Sequence, residues 1–306
     1  MKKIALILLT IAILAILSSY IFVPSKISIS AVATGHTSTD AAYRFLLDEG
    51  NWKKWWPGSE PFSANGINFR LTKKMFDVFE LDLADKNDTI KSYLELLPGD
   101  KDSTGYNWFT EIDAGNNPFT KWQRYFKATR IKKTFDHLLD SLKEKLEQEK
   151  IVYGFTVKRV KVTDSVLLSF RSKFDHYPDA KDVDGMIRQL RKYISNLNGV
   201  EKNYPMLNVN AIDKNDYEAM VAIPTAWALP PSGSMSPKLV LKGGTLLETE
   251  IIGGPWTIRK AFEQFENYRA DFRIISPAIP YQQIITDRVK ETDTTKWITK
   301  LYYPAY

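Results

Sequence analysis

The three histidines of this 306-residue chain, His36, His137 and His176, lie far apart, and none falls in an H-x-H or H-x-x-x-H spacing. Zinc needs ligands that converge on one ion, so these spacings argue against a zinc site. The chain has no cysteine, which removes thiolate ligands, thiol nucleophiles and disulfide staples together. No G-x-S-x-G element occurs, and Gly243-Gly244 lacks the lysine and Ser/Thr of a phosphate loop. Asp182 and Asp184 sit at a helix start, where backbone donors and the helix dipole account for them. No catalytic residue, metal or cofactor is assigned from these patterns.

The acid that keeps a chemical role is Glu218. Residues 217–223 read as a strand stopped by Pro224. Strand side chains alternate, so Glu218, Met220 and Ala222 share one face while Tyr217, Val221 and Ile223 share the other. The greasier second set belongs under helices. Residues 297–303 form a second such run into Pro304. Superposing the two prolines puts Lys300 and Tyr302 on the Glu218 face, which makes Tyr302 a better pocket candidate than Tyr303. Two readings stay open for Glu218: ligand contact, or a solvated residue at the strand start paired with Lys300. Trp227 and Trp256 join the candidate lining, although a tryptophan beside a turn is more often a core plug.

The elements that carry these residues repeat. Residues 155–170 read as strand with a turn at Thr163-Asp164, followed by a helix with Val183, Ile187, Leu190, Ile194 and Leu197 on one stripe. Asn198-Gly199 ends that helix, and strands at 206–212 and 217–223 follow. The order recurs with a strand at 246–252, a turn at Gly253-Gly254-Pro255, a helix carrying Ile258, Ala261, Phe262 and Phe265, and strands near 281–286 and 297–303. Residues 229–237 read as the loop between the repeats. Two strand-helix-strand-strand units predict a pseudo-two-fold sheet with both helices on one face and the other face free to form a concave site.

Ahead of this lies a different pattern. Ile27, Ile29, Ala31 and Ala33 alternate as in a strand, and Ser38-Thr39-Asp40 offers N-cap oxygens to a short helix with Ala42, Phe45 and Leu46 on one face. Strand-like runs at 75–82, 90–97 and 106–112 follow. A closing helix bears Ile131, Phe135, Leu138, Leu139, Leu142 and Leu146 on one stripe. A basic patch, Lys127 to Lys133, opens that helix and reads as its solvated edge; with a net charge of only +6, nucleic-acid binding is not expected.

Both halves carry resemblances. The opening strand, the stretch Asp48-Glu49-Gly50-Asn51-Trp52-Lys53-Lys54-Trp55-Trp56-Pro57 and the closing helix resemble the START-like, polyketide-cyclase (SRPBCC) family over about 120 residues. That resemblance implies a helix-grip fold around a hydrophobic cavity, with no fixed reaction. Trp52 and Trp55 are candidates for its ligand contacts, although core packing is the first reading for them. The second half is similar to the GyrI-like effector-binding family over about 150 residues, through Tyr217-Glu218-Ala219-Met220-Val221-Ala222-Ile223-Pro224, Gly253-Gly254-Pro255-Trp256 and Trp297-Ile298-Thr299-Lys300-Leu301-Tyr302-Tyr303-Pro304. That resemblance implies a pocket of aromatics and a glutamate for lipophilic, often cationic, molecules, and in some members hydrolysis of strained rings. A carboxylate against aromatic faces suits a delocalised cation, because charge and ring quadrupole add at low dielectric. The chain departs from the family's E-x-Y element, with Gln282 where the acid would fall and Ile284 in place of the tyrosine. Gln282 therefore stands as a neutral pocket candidate, and Glu218 as the acid that remains.

Residues 4–23 are an uncharged, mostly apolar run behind Lys2-Lys3. At about 1.5 Å per residue it reaches roughly 30 Å, the thickness of a bilayer's hydrocarbon core. No small-x-small cleavage site closes it, which favours an uncleaved anchor over a removed signal. By the positive-inside rule the remainder lies outside the cytoplasm. The expected organisation is α+β: an anchor at 1–25, a START-like domain at 26–150 and a GyrI-like domain at 151–306. The expected function is non-catalytic binding of a small hydrophobic, cation-compatible ligand at a membrane. The alternatives are a hydrolase or cyclase with Glu218 as base and Tyr302 orienting it, and a structural envelope protein whose cavities are filled by Trp52, Trp55 and Trp256.

Overall fold

A computed structural model describes residues 2–58, 62–85, 88–100 and 102–305, without the side chains at 2, 5, 6, 12, 15 and 19. The chain divides into two compact units, Met1–Val152 and Tyr153–Tyr306. Both mix helices with an antiparallel sheet.

The first unit opens with helix α1 (Lys2–Phe22). Among the described residues, no helix is long and apolar enough to cross a membrane. The side chains at 5, 6, 12, 15 and 19, which fall within the apolar run of α1, lie outside the described residues.

A six-stranded sheet follows, built from β1 (Lys26–Gly35), β2 (Ser63–Ala64), β3 (Ile67–Met75), β4 (Val78–Asp85), β5 (Asp88–Pro98) and β6 (Thr104–Asp113) in the order β1-β6-β5-β4-β3-β2. The short helices α2 (Thr39–Leu47) and α3 (Trp52–Trp55) sit between β1 and β2 in the chain. Helix α4 (Pro118–Leu146) and the single turn α5 (Glu149–Val152) close the unit. The stripe expected on the closing helix is its buried face, with Ile131, Phe135, Leu138, Leu139, Leu142 and Leu146 all inside.

Three expectations need correction here. The run at 75–82 is no single strand: β3 ends at Met75 and β4 begins at Val78, so it holds a hairpin turn. Ser38 precedes α2 without a side-chain capping bond. Helix α4 starts about nine residues before the basic patch, because Asn117 Oδ1 accepts from the backbone N–H of Phe119 at 2.9 Å and Pro118 occupies the first turn. The patch itself is largely paired. Lys127 reaches Asp88 at 2.9 Å and Asp85 at 3.4 Å, Arg124 contacts Asp88, and Arg130 contacts Asp85. Bonds from Lys127 and Arg124 hold the Asp88 carboxyl below its usual range.

The second unit is an eight-stranded sheet of β7 (Lys158–Lys161), β8 (Val166–Phe174), β9 (Met206–Ala211), β10 (Tyr217–Pro224), β11 (Met235–Leu239), β12 (Thr245–Ile252), β13 (Tyr281–Ile284) and β14 (Ile298–Ala305). Helix α6 (Ala180–Asn196) lies between β8 and β9 in the chain, and α7 (Pro255–Asp271) between β12 and β13. The spatial order β11-β8-β10-β9-β13-β14-β12-β7 is a palindrome: exchanging β7 with β11, β8 with β12, β9 with β13 and β10 with β14 reproduces it. The two repeats meet at β9 and β13, through Gln282–Leu207 and Gln283–Met206.

The repeat is longer than the sequence pattern suggests. The stretch 229–237 is not all loop, since β11 begins at Met235 and pairs with β8 of the other repeat, just as β7 pairs with β12. Each repeat thus lends its first short strand to its twin and covers an edge that would otherwise be left with unpaired backbone groups. Helix α6 starts on a full capping box from Asp179 and Asp182. It ends where Asn198 turns to φ +52° and the N–H of Gly199 returns to the Ile194 carbonyl at 2.8 Å.

Candidate functional site

Strand parity divides the second unit's sheet into two faces. Ala219, Val221 and Ile223 of β10 join Val183, Leu190 and Ile194 of α6 in one apolar cluster. Met220 and Ala222 point the other way, into a cavity of about 620 Å³. β12, β13 and β14 contribute Glu248, Tyr281, Gln283 and Tyr302 to its lining, Lys161, Asp164 and Lys238 add further charges, and Leu167 of β8 and Met206 of β9 add apolar surface.

The chemistry centres on Glu248. Its cross-strand neighbour Tyr302 donates its hydroxyl to Glu248 Oε2 at 2.6 Å, and Lys300 Nζ donates to Oε1 at 3.3 Å. The Tyr302 hydroxyl also lies 3.3 Å from Gln283 Oε1. The Tyr281 ring stacks on Tyr302, with centroids 5.0 Å apart and planes 19° from parallel. Burial first, then the bond to Glu248, pushes the Tyr302 phenol well above its ordinary range, and burial does the same for Tyr281. Both phenols stay neutral at physiological pH and present ring faces and O–H dipoles to the cavity. The Glu248 side chain keeps about one-sixth of its surface exposed. A partly desolvated carboxylate beside a stacked pair of tyrosine rings can hold a bulky cation, or accept a hydrogen bond from a neutral ligand.

Of the residues singled out from sequence, Tyr302 lies in the cavity, while Tyr303 lies under α7 and donates to Glu266 at 2.7 Å. Glu218 shares the strand face of Met220 but sits at the far end of β10, 3.7 Å from Arg171 and a third exposed. Its partner is Arg171 of β8 and not Lys300, because β10 and β14 never pair; β9 and β13 stand between them. Gln282 faces the opposite side of the sheet from the cavity. There its Oε1 accepts from Arg288 at 2.8 Å, and burial lowers the Arg288 guanidinium to about 10. Trp256 stands in the first turn of α7, 70% exposed, with Lys260 over its ring at 5.1 Å. Trp227 is half exposed and does not line the cavity.

Trp52 and Trp55 lie in the other unit, each 1% exposed. The space between that sheet and α4 is occupied by rings: Trp108 stacks on Phe135 at 4.9 Å, and Trp56 sits edge-on to Phe69 at 5.1 Å. Trp52 and Trp108 satisfy their indole N–H groups on the Leu46 carbonyl and the Ser92 hydroxyl.

Sequence reasoning missed Glu248, Tyr281 and Gln283. The signal was present in part: residues 246–252 already read as a strand, and alternation places Leu247, Thr249 and Ile251 on the helix side and Glu248 opposite. His176, remote from this cavity, bonds Asp175 at 2.7 Å and Asp182 at 3.0 Å. Among the described residues, no group of three or more His, Asp or Glu side chains could hold a metal ion.

No protein-family model matches this chain, and no curated protein matches it in sequence. Several solved structures are similar to part of it. The C-terminal domain of EcmrR is 11% identical, with a TM-score of 0.43 over 50% of this chain and 98% of that domain. An uncharacterized conserved protein from Listeria innocua is 10% identical, with a TM-score of 0.38 over 49% of this chain and 92% of its own. SAV2435, solved bound to tetraphenylphosphonium, is 12% identical with a TM-score of 0.34 over 49% and 94%. Likeness this distant assigns no function to this chain.

Proposed function

We propose that the second unit is a GyrI-like binding module that takes a bulky hydrophobic ligand, with a delocalised positive charge preferred, against Glu248, Tyr281 and Tyr302, and that the chain presents it at a membrane. The observation that carries the binding reading is the 620 Å³ cavity, in which a carboxylate is hydrogen-bonded to one tyrosine of a stacked pair. A volume of that order suits a drug-sized molecule.

Support for the membrane half is the character of α1. Its exposed side chains include Ile4, Ile7, Leu8, Leu9, Ile11, Ile13, Leu14 and Leu17, which between them face every direction around the helix. A helix that is apolar all round needs an apolar environment, and this fold does not wrap it. A lipid bilayer supplies one, and Lys2 and Lys3 then leave both units on the non-cytoplasmic side.

The test is a thermal-shift titration of the full chain with tetraphenylphosphonium and with neutral triphenylphosphine oxide. Ligand at about 100 times its Kd stabilises by about 2.7 kcal/mol. Stabilisation by the phosphonium that E248Q cuts by about half or more and E218Q retains is the expected result. A shift that follows Glu218, or equal shifts from both compounds that E248Q leaves unchanged, would overturn the role given to Glu248.

A further inference from the structure

The first three turns of α4 expose an aromatic face. Phe119 is 76% exposed and Phe126 65%, with Trp122 and Tyr125 between them partly open to solvent. Positions 119, 122 and 126 fall at i, i+3 and i+7, one stripe of a helix. The rings touch one another: Trp122 lies 5.9 Å from Tyr125 and 6.1 Å from Phe126, centroid to centroid. The opposite side of the same turns is tied into the unit, with Ala128 in the core and Arg124 and Lys127 on Asp88. The aromatic stripe is therefore no part of the core.

The stripe also begins where α1 ends. The Tyr20 hydroxyl donates to the Asn116 carbonyl at 2.9 Å, just before the Asn117 cap of α4. Lys121, buried on the inner side of α4, donates to the Val23 carbonyl at 2.7 Å and covers the Tyr20 ring at 5.2 Å. These bonds clamp the exit of the apolar helix to the start of the aromatic one. Tyr and Trp, each with an apolar body and a polar tip, partition to the boundary between headgroups and acyl chains.

We infer that Phe119, Trp122, Tyr125 and Phe126 form an interfacial docking face that enters the same bilayer as α1 and sets the first unit against it. The occupant is lipid. Arg124 and Lys127 are already paired with Asp88, so the face inserts by burying rings and needs no anionic headgroup. It works on neutral lipid and persists at high salt. The inference rests on the membrane reading of α1, and its test separates the two.

Because the chain has no cysteine, single spin labels report without background. The full chain would be reconstituted in phosphatidylcholine nanodiscs with a label at Leu14→Cys, Phe126→Cys or Val289→Cys. Collision with oxygen and with a water-soluble nickel chelate then gives the depth of each. Leu14 should be oxygen-dominated, Val289 nickel-dominated, and Phe126 oxygen-favoured at shallow depth, unchanged in 0.5 M salt. A deep Leu14 with Phe126 as aqueous as Val289 leaves the anchor standing and overturns the docking face. An aqueous Leu14 overturns both. Dipolar broadening between Phe126 labels of two chains would make the face a dimer contact and overturn the lipid assignment.

Discussion

The two units solve the same geometric problem in opposite ways. Each lays helices over one face of an antiparallel sheet, and each must decide what occupies the remaining concavity. The first unit fills its space with indole and phenyl rings, Trp52, Trp55, Trp56 and Trp108 against Phe79 and Phe135, nearly all inaccessible to solvent. The second places its apolar side chains under the helices and leaves the other face open around Glu248. Ring-filled space stabilises a fold, whereas open space with a desolvated acid costs stability and is useful only to something that enters it. The contrast concentrates the ligand-binding expectation in the second unit.

The comparison breaks most visibly at Trp108. Replacing it with alanine removes the ring stacked on Phe135 and leaves the Ser92 hydroxyl without its indole partner. A loss of about 3–5 kcal/mol is expected in urea unfolding followed by far-UV circular dichroism. A loss under about 1 kcal/mol would mean that the first unit collapses around the gap and that its interior is less committed than its packing suggests. The complementary change adds a ring to the second unit. Met220→Trp points into the cavity, so stability should move by about 1 kcal/mol or less while phosphonium binding disappears. A large destabilisation would show that the space is not free to be filled.

The acids sharpen the comparison within the second unit. E248Q should weaken phosphonium binding at least about tenfold, or about 1.4 kcal/mol, in a calorimetric titration, whereas E218Q should leave it within about twofold. Lys300 competes with any cationic ligand for Glu248. Lys300→Met should therefore strengthen phosphonium binding by a few-fold, because the carboxylate it releases keeps its tyrosine partner. Weaker binding in that variant would mean that Lys300 positions Glu248 and does not screen it.

How far the sequence showed this architecture depends on the kind of information each element needed. The repeats of the second unit were legible because amphipathic helices and strands into Pro224 and Pro304 are local patterns. Parity was equally local, and Met220 and Ala222 lie on the expected face. The partner strands were not legible. Lys300 meets Glu248 because β14 lies beside β12, and nothing within residues 217–224 tells which strand stands next to β10. Gln282 shows the cost of a one-residue offset: the family-like alignment chose it, while Gln283, one position on, carries the cavity-facing side chain, since adjacent strand residues face opposite ways. The swap of β7 and β11 between repeats was invisible because each is a short strand whose partner lies in the other repeat. In the first unit, the aromatic turns of α4 escaped notice because their rings face outward and leave no core-facing stripe to read.

The smallest expected effect concerns pH and lies far from the cavity. His176, with about half of its side chain exposed, bonds Asp175 and Asp182, and first the Asp175 bond, then the Asp182 bond, raise its pKa above the ordinary value near 6.5. Below that value the imidazole is charged in both the folded and the unfolded chain, and its stabilisation of the folded state is fully present. As pH rises through the higher folded-state pKa the charge is lost from the folded state as well, and the contribution vanishes. Asp182 works in a separate window. Its carboxyl, held down chiefly by the backbone N–H of Asp179, contributes above the ordinary carboxylate range and fails only in acid. The difference in melting temperature between the parent chain and His176→Gln should therefore be largest below the ordinary histidine pKa and shrink as pH rises through the raised folded-state value. A difference that grew with pH would show that His176 is neutral in the fold and that its bonds to the two aspartates are those of an uncharged imidazole.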